Sequence, residues 1–207
     1  MQVPQDDTYF SIAGRAEGFY KEKGSKFLAF AFPVSNQDEI KERLDELRKE
    51  YYDARHHCYA WVLGKEGDQW RANDDGEPNH SAGDPILGQI RSAELSDVLI
   101  VVIRYFGGTK LGVSGLITAY KTAAAEALQL AERVEKILSI QCTFTFSYPD
   151  MNGVMKLVKD FDLTIIHQHF EMECSMTLQI REGHAEAVLS KLSEIESVQL
   201  PDSDSED

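Results

Sequence analysis

Cysteine is scarce in this sequence. The three residues present, Cys58, Cys142 and Cys174, are odd in number and lack the paired spacing of a metal site. They predict buried free thiols in a reducing compartment, not a disulfide framework. Residues 1–7 contain neither a basic nor an apolar stretch, so no secretion signal is expected. No apolar run approaches the length of a membrane span. Positive charge is in deficit, with 21 Lys and Arg against 35 Asp and Glu and a net charge of −14. Backbone affinity for nucleic acid needs clustered Lys and Arg, so RNA is a weak expectation at this charge. The setting expected is cytoplasmic, without membrane contact. At 43% hydrophobic residues the chain is not short of core-forming side chains, and it lacks the signature of disorder.

The chain is organised around Arg104-Tyr105-Phe106-Gly107-Gly108-Thr109-Lys110-Leu111-Gly112. Before it runs Val98-Leu99-Ile100-Val101-Val102-Ile103, the composition of a strand buried on both faces. After it, Leu116, Ala119, Tyr120, Ala123, Ala124, Ala127, Leu128 and Ala131 recur at helical spacing, so a helix follows. A Gly-rich turn feeding a helix can present free N–H groups to an anion. It can equally serve as a tight connection packed on its own sheet. The spacings of the nucleotide-binding and dinucleotide-binding loops are both absent.

Before this centre, short strands are expected at 9–13, 15–20 and 27–34, with a turn at Lys23-Gly24-Ser25-Lys26. Lys21, Lys23 and Lys26 make that turn basic. A helix is expected at 36–51, opened by a capping box of Asn36 and Glu39. A strand at 57–63 follows, with 69–72 as hairpin partner. The loop from Asn73 to Gly83 leads to a helix with Asp84 as N-cap and Pro85 first. After Lys136 the pattern is β-α-β-β-α-β, ending in a strand at 198–200. An acidic tail closes the chain at 201–207. The expected division is 1–136, 137–200 and the tail.

Asp74, Asp75 and Glu77 bring carboxylates together on one loop, and His57 stands ahead of them. Such a set can do acid–base work or hold a cation. It can also bond backbone N–H groups within the loop. No complete catalytic set is present, and no metal or cofactor is expected. Cys58 reads as core packing. The outward residues expected on the second sheet, among them Gln141, Thr143, Thr145 and Ser175, cannot stack on bases.

Three blocks taken together resemble the IMPACT/YigZ family. They are Lys23-Gly24-Ser25-Lys26-Phe27, the Asp74-Asp75-Gly76-Glu77-Pro78 loop ending in Ala82-Gly83, and Arg104 to Gly112, with His57-Cys58-Tyr59-Ala60 alongside. The resemblance implies an α+β protein of two domains. The first would be an α/β sandwich like the second domain of a small-subunit ribosomal protein, with a left-handed β-α-β crossover. The second would be ferredoxin-like, resembling domains of elongation factor G. Eukaryotic relatives act as translation regulators that compete for an activator of an initiation-factor kinase. Three places depart from the family pattern: Asn79-His80-Ser81 replaces Ser-Gly-Thr, Val113-Ser114 replaces Thr-Gly, and Thr118 replaces Arg.

The leading expectation is a non-enzymatic regulator of translation or stress response that binds a protein or ribosomal partner. Its contact surface would be Arg104, Gly107, Gly108 and Lys110, with the Asp74, Asp75, Glu77 and His57 set beside it. The alternative is a hydrolase-type enzyme using that second set, with the Gly107–Lys110 loop as anion site.

Overall fold

The computed structural model describes residues 7–171 and 173–200, so the tail expected at 201–207 lies outside the described residues. The protein mixes helices and mostly antiparallel sheets, an α+β architecture. The chain divides into two compact units, Tyr9–Lys136 and Ile137–Asp207 with Met1–Thr8. Among the described residues no helix is long and apolar enough to cross a membrane.

In the first unit a five-stranded sheet has the order β2-β3-β6-β4-β5. Its strands are β2 (Ala16–Glu22), β3 (Ser25–Pro33), β4 (His56–Leu63), β5 (Gln69–Asn73) and β6 (Val98–Tyr105). The apolar run of β6 sits at the centre, paired antiparallel with β3 and with β4. An antiparallel sheet often leaves one face to water. Here both faces are covered, because β6 supplies apolar residues to each side. Ile100 and Val102 join a core with α2 (Gly83–Ser92) and α3 (Gly112–Leu130). Leu99, Val101 and Ile103 join another with Ile40, Leu44 and Leu47 of α1 (Gln37–Glu50). Each such side chain, fully buried, contributes about 1.5–3 kcal/mol.

The helix starts show where local signals sufficed. Asn36 caps α1, its side chain accepting from Glu39 N at 2.9 Å. Glu39 answers by accepting from Ser35 N at 2.7 Å, one residue earlier than the reciprocal box predicts. Asp84 is not the cap of α2. That helix begins at Gly83 and carries Asp84 in its first turn. Its first N–H groups are taken by a side chain from elsewhere, described below. One strand was not expected at all: β7 (Arg133–Ile137), which pairs with β1 (Thr8–Ile12). Its five residues follow the long helix directly, and their weak alternation carries no turn signal.

The second unit has a three-stranded sheet in the order β8-β10-β9, made of β8 (Ser139–Phe146), β9 (Thr164–Phe170) and β10 (Cys174–Arg181). Both pairings are antiparallel, with a register shift at Thr177/Leu178. Helices α4 (Met151–Asp160) and α5 (Glu182–Ser193) bring Val154, Leu157, Val188 and Leu192 onto Phe144, Phe146, Met176 and Ile180. The strand expected at 198–200 amounts to one bridge, Gln199 with Thr145 of β8. Asp7, 2% exposed, is held side-on by Arg181 at 2.9 and 3.1 Å.

Candidate functional site

The hairpin between β2 and β3 turns in two residues, Lys23 and Gly24, at φ of 44° and 81°. Two positive φ values fit the right-handed twist of the flanking strands. The Gly-rich loop after β6 is pressed against this tip. A Cβ on Gly107 would lie 1.9 Å from Gly24 C, so only glycine permits the contact. Gly107 N also donates to Ser25 Oγ at 3.1 Å. Gly108 and Gly112 take φ of 87° and 72° in open space, turning the chain into α3. Gly107 therefore serves packing first. Gly108, Thr109 and Lys110 face solvent, as do Lys21, Lys23 and Lys26 on the hairpin. Lys110 enters no ion pair among the described residues.

Arg104 is placed otherwise. It is 8% exposed and lies beneath the loop, with Nη1 donating to Glu77 Oε1 at 2.6 Å. The same oxygen accepts from Tyr120 Oη of α3 at 2.8 Å. Tyr120 in turn accepts from Cys58 Sγ at 3.3 Å. This buried chain joins β4, β6, α3 and the loop after β5. The Asp74 and Gly107 loops thus converge, but through an internal ion pair and not across an open cleft.

The loop folds from its own sequence. Asp75-Gly76 forms a turn with φ of 40° and 83°, closed by Glu77 N donating to Asp74 O at 2.9 Å. Asp74 Oδ1 accepts from Ala82 N and Gly83 N at 2.9 and 2.8 Å, and Oδ2 from His80 N at 2.8 Å. Asp74 is therefore the cap of α2, supplied from eight residues upstream. His80 sits at φ 63°, in the left-handed region that favours glycine. Asp75 Oδ2 accepts from His57 N at 2.6 Å. The three carboxylates thus bind three different sets of groups, and none is shared.

His57 and His56 point to opposite faces, as alternation along β4 requires. His57 is buried with its neighbours Tyr59 and Trp61 on the α1 side. Burial holds its imidazole below the usual range, despite Asp75 Oδ2 4.0 Å away. His56 lies with Cys58 on the other side, Nδ1 2.8 Å from Asp75 O. Burial pushes the Cys58 thiol up strongly, so at neutral pH it is no thiolate and no nucleophile. Tyr120 is likewise pushed up, by burial and by Cys58 and Glu77.

Two participants escaped sequence reasoning, Tyr120 and Ser25. Tyr120 is the one polar member of an otherwise aliphatic helical stripe. A buried phenol needs an acceptor, and that was the available signal.

The fold and its blocks have counterparts. The model of the Impact N-terminal domain matches residues 23–128, which include both loops and the hairpin tip. An IMPACT family member of Haemophilus influenzae is 32% identical over 180 residues, 86% of this chain and 87% of that one. The chain belongs to the IMPACT family. Another member, YigZ of Escherichia coli, is 33% identical over 151 residues, 72% of this chain and 74% of its own length. A solved crystal structure of a hypothetical protein superposes with a TM-score of 0.72 at 27% identity, covering 97% of this chain and 99% of the other.

Proposed function

We propose that this IMPACT family member is a non-enzymatic cytoplasmic regulator of translation or stress response that binds a protein or ribosomal partner. The observation that carries the reading is the exposed Gly108-Thr109-Lys110 segment, seated on a hairpin tip that adds Lys21, Lys23 and Lys26. Rigid glycine contacts hold this basic surface in place, which lowers the entropy lost on binding. Arg104 supports the surface from beneath, paired with Glu77. The Asp74, Asp75 and Glu77 carboxylates are engaged by backbone N–H groups, Arg104 and Tyr120. That engagement favours a binding protein over the hydrolase reading.

The finer fold assignments belong to the same proposal. A ferredoxin-like second domain, 137–200, is supported by the order β8-β10-β9 with Gln199 bridging the outer side of β8. An α/β first domain like that of the ribosomal protein is supported by β3 and β4 running parallel on either side of β6, joined through α1. Its crossover is left-handed in this reading.

The test is capture from lysate of the parent organism with the full chain and with Lys110→Glu. Wild type should recover a component of the translation machinery, and Lys110→Glu should lose it. Recovery of none, or equal recovery by the variant, overturns the proposal.

A further inference from the structure

Beside the Gly loop lies a groove of about 380 Å³ that the partner reading leaves unused. Asp53, Arg55, His56, Arg104, Tyr105 and Phe106 line it. Arg104 is the informative member. Its side chain makes one hydrogen bond among the described residues, from Nη1 to Glu77. The buried Nε has no hydrogen-bond partner among the described residues. In Arg181 the corresponding edge is filled, Nε and Nη2 gripping the two oxygens of Asp7. That side-on edge is the geometry in which guanidinium takes an oxoanion with two parallel bonds. Leaving it empty in a buried arginine is unfavourable. The rings of Phe27 and Phe106 lie 5.6 and 5.8 Å from Cζ. Phe27 is buried, whereas Phe106 is 60% exposed, so Phe106 is the ring able to move aside.

Two further groups suit the same ligand. Arg55 is exposed at the groove. His56 has Nδ1 on a carbonyl oxygen, Asp75 O. A carbonyl only accepts, so Nδ1 carries the proton and Nε2 remains for the groove. Neutral, Nε2 accepts from a phosphate hydroxyl; protonated, it donates to a phosphate oxygen. The carboxylate of Asp53 is occupied by Tyr105 Oη at 2.7 Å. Arg55 and Arg104 are balanced by Asp53 and Glu77, leaving no surplus of positive charge for a polyanion. Directed bonds to one phosphoryl group fit better.

We propose that this groove binds a phosphate monoester, with Arg55, His56 and the Nε–Nη2 edge of Arg104 on the phosphoryl oxygens and Phe106 against the organic part. The proposal stands apart from the partner reading, whose test uses Lys110→Glu instead. The experiment is calorimetric titration of the full chain with phenyl phosphate, inorganic phosphate and benzoate at fixed ionic strength. Phenyl phosphate should bind saturably and more tightly than the other two. Arg55→Ala and His56→Gln, both at accessible positions, should each weaken it by about tenfold. Phe106→Ala should erase the preference over inorganic phosphate. Absence of saturable binding, unchanged affinity in both Arg55→Ala and His56→Gln, or benzoate binding as tightly as phenyl phosphate overturns the proposal.

Discussion

Replacing Glu77 by Gln tests whether the ion pair beneath the Gly loop anchors the first unit. Arg104 is 8% exposed, and among the described residues Glu77 is the one acceptor its guanidinium has. The amide keeps the shape and can still accept from Tyr120, but it removes the countercharge. Breaking a buried pair from one side costs about 3–5 kcal/mol, because the remaining charge stays desolvated. Removing both charges in Glu77→Gln/Arg104→Gln should recover much of that loss, giving a coupling of about 2 kcal/mol or more. Tyr120→Phe removes one bond to a charged acceptor and should cost about 1.5–3 kcal/mol. Urea unfolding followed by tryptophan fluorescence reads this unit selectively. The two tryptophans, Trp61 and Trp70, lie on β4 and β5. If Glu77→Gln unfolds within about 0.5 kcal/mol of wild type, the size of an ordinary surface change, the pair is not an anchor and the reasoning is refuted.

Further outcomes follow from the same contacts. Gly107→Ala should cost at least about 2 kcal/mol, since its Cβ meets Gly24 backbone at 1.9 Å. Gly108→Ala, strained by φ but in open space, should cost only about 1 kcal/mol, and equal losses in urea melts would show that the contact is not tight. Asp74→Ala removes the carboxylate that accepts from Ala82 N and Gly83 N at the start of α2 and from His80 N in the loop before it. A loss of about 2 kcal/mol is expected, with faster amide exchange at Ala82 and Gly83; unchanged exchange would contradict the cap. The Arg181 guanidinium holds the Asp7 carboxyl below its usual range. A depressed folded value stabilises above the unfolded pKa of about 3.9 and is lost as pH falls through the folded one. Asp7→Asn should therefore be less stable than wild type at pH 6, with the gap closing as pH falls from the unfolded value through the lower folded one. A gap that persists in acid would argue against the ion pair. Burial holds His57 low, so folding excludes a proton that the unfolded chain takes up. Stability should fall as pH drops below about 6.5, and His57→Phe should flatten that slope in pH-dependent urea melts.

Much of the fold was legible because its signals are local. The Val98–Ile103 run was long and apolar enough to lie centrally, and the small-residue stripe of α3 had one helical face. Asn36 and Glu39 announced a helix start three residues apart. Alternation placed Gln141 and Thr143 outside and Phe144 and Met176 inside. β7 stayed hidden, because five residues of mixed polarity become a strand only when β1 offers a ladder.

The sequence by itself determined that a glycine-rich corner follows a buried strand, and that acidic and basic residues attend it. Local composition and spacing suffice for that. Only the tertiary structure decided which of those charges face water. Arg104 and Lys110 are six residues apart and look alike in the chain, yet one is buried on Glu77 and the other is exposed. The difference lies in partners brought from the loop after β5, from α3 and from the hairpin tip, and contacts between segments distant in sequence leave no periodic trace. The same holds for Asp74, whose place in an acidic loop gives no hint that it caps a helix eight residues on.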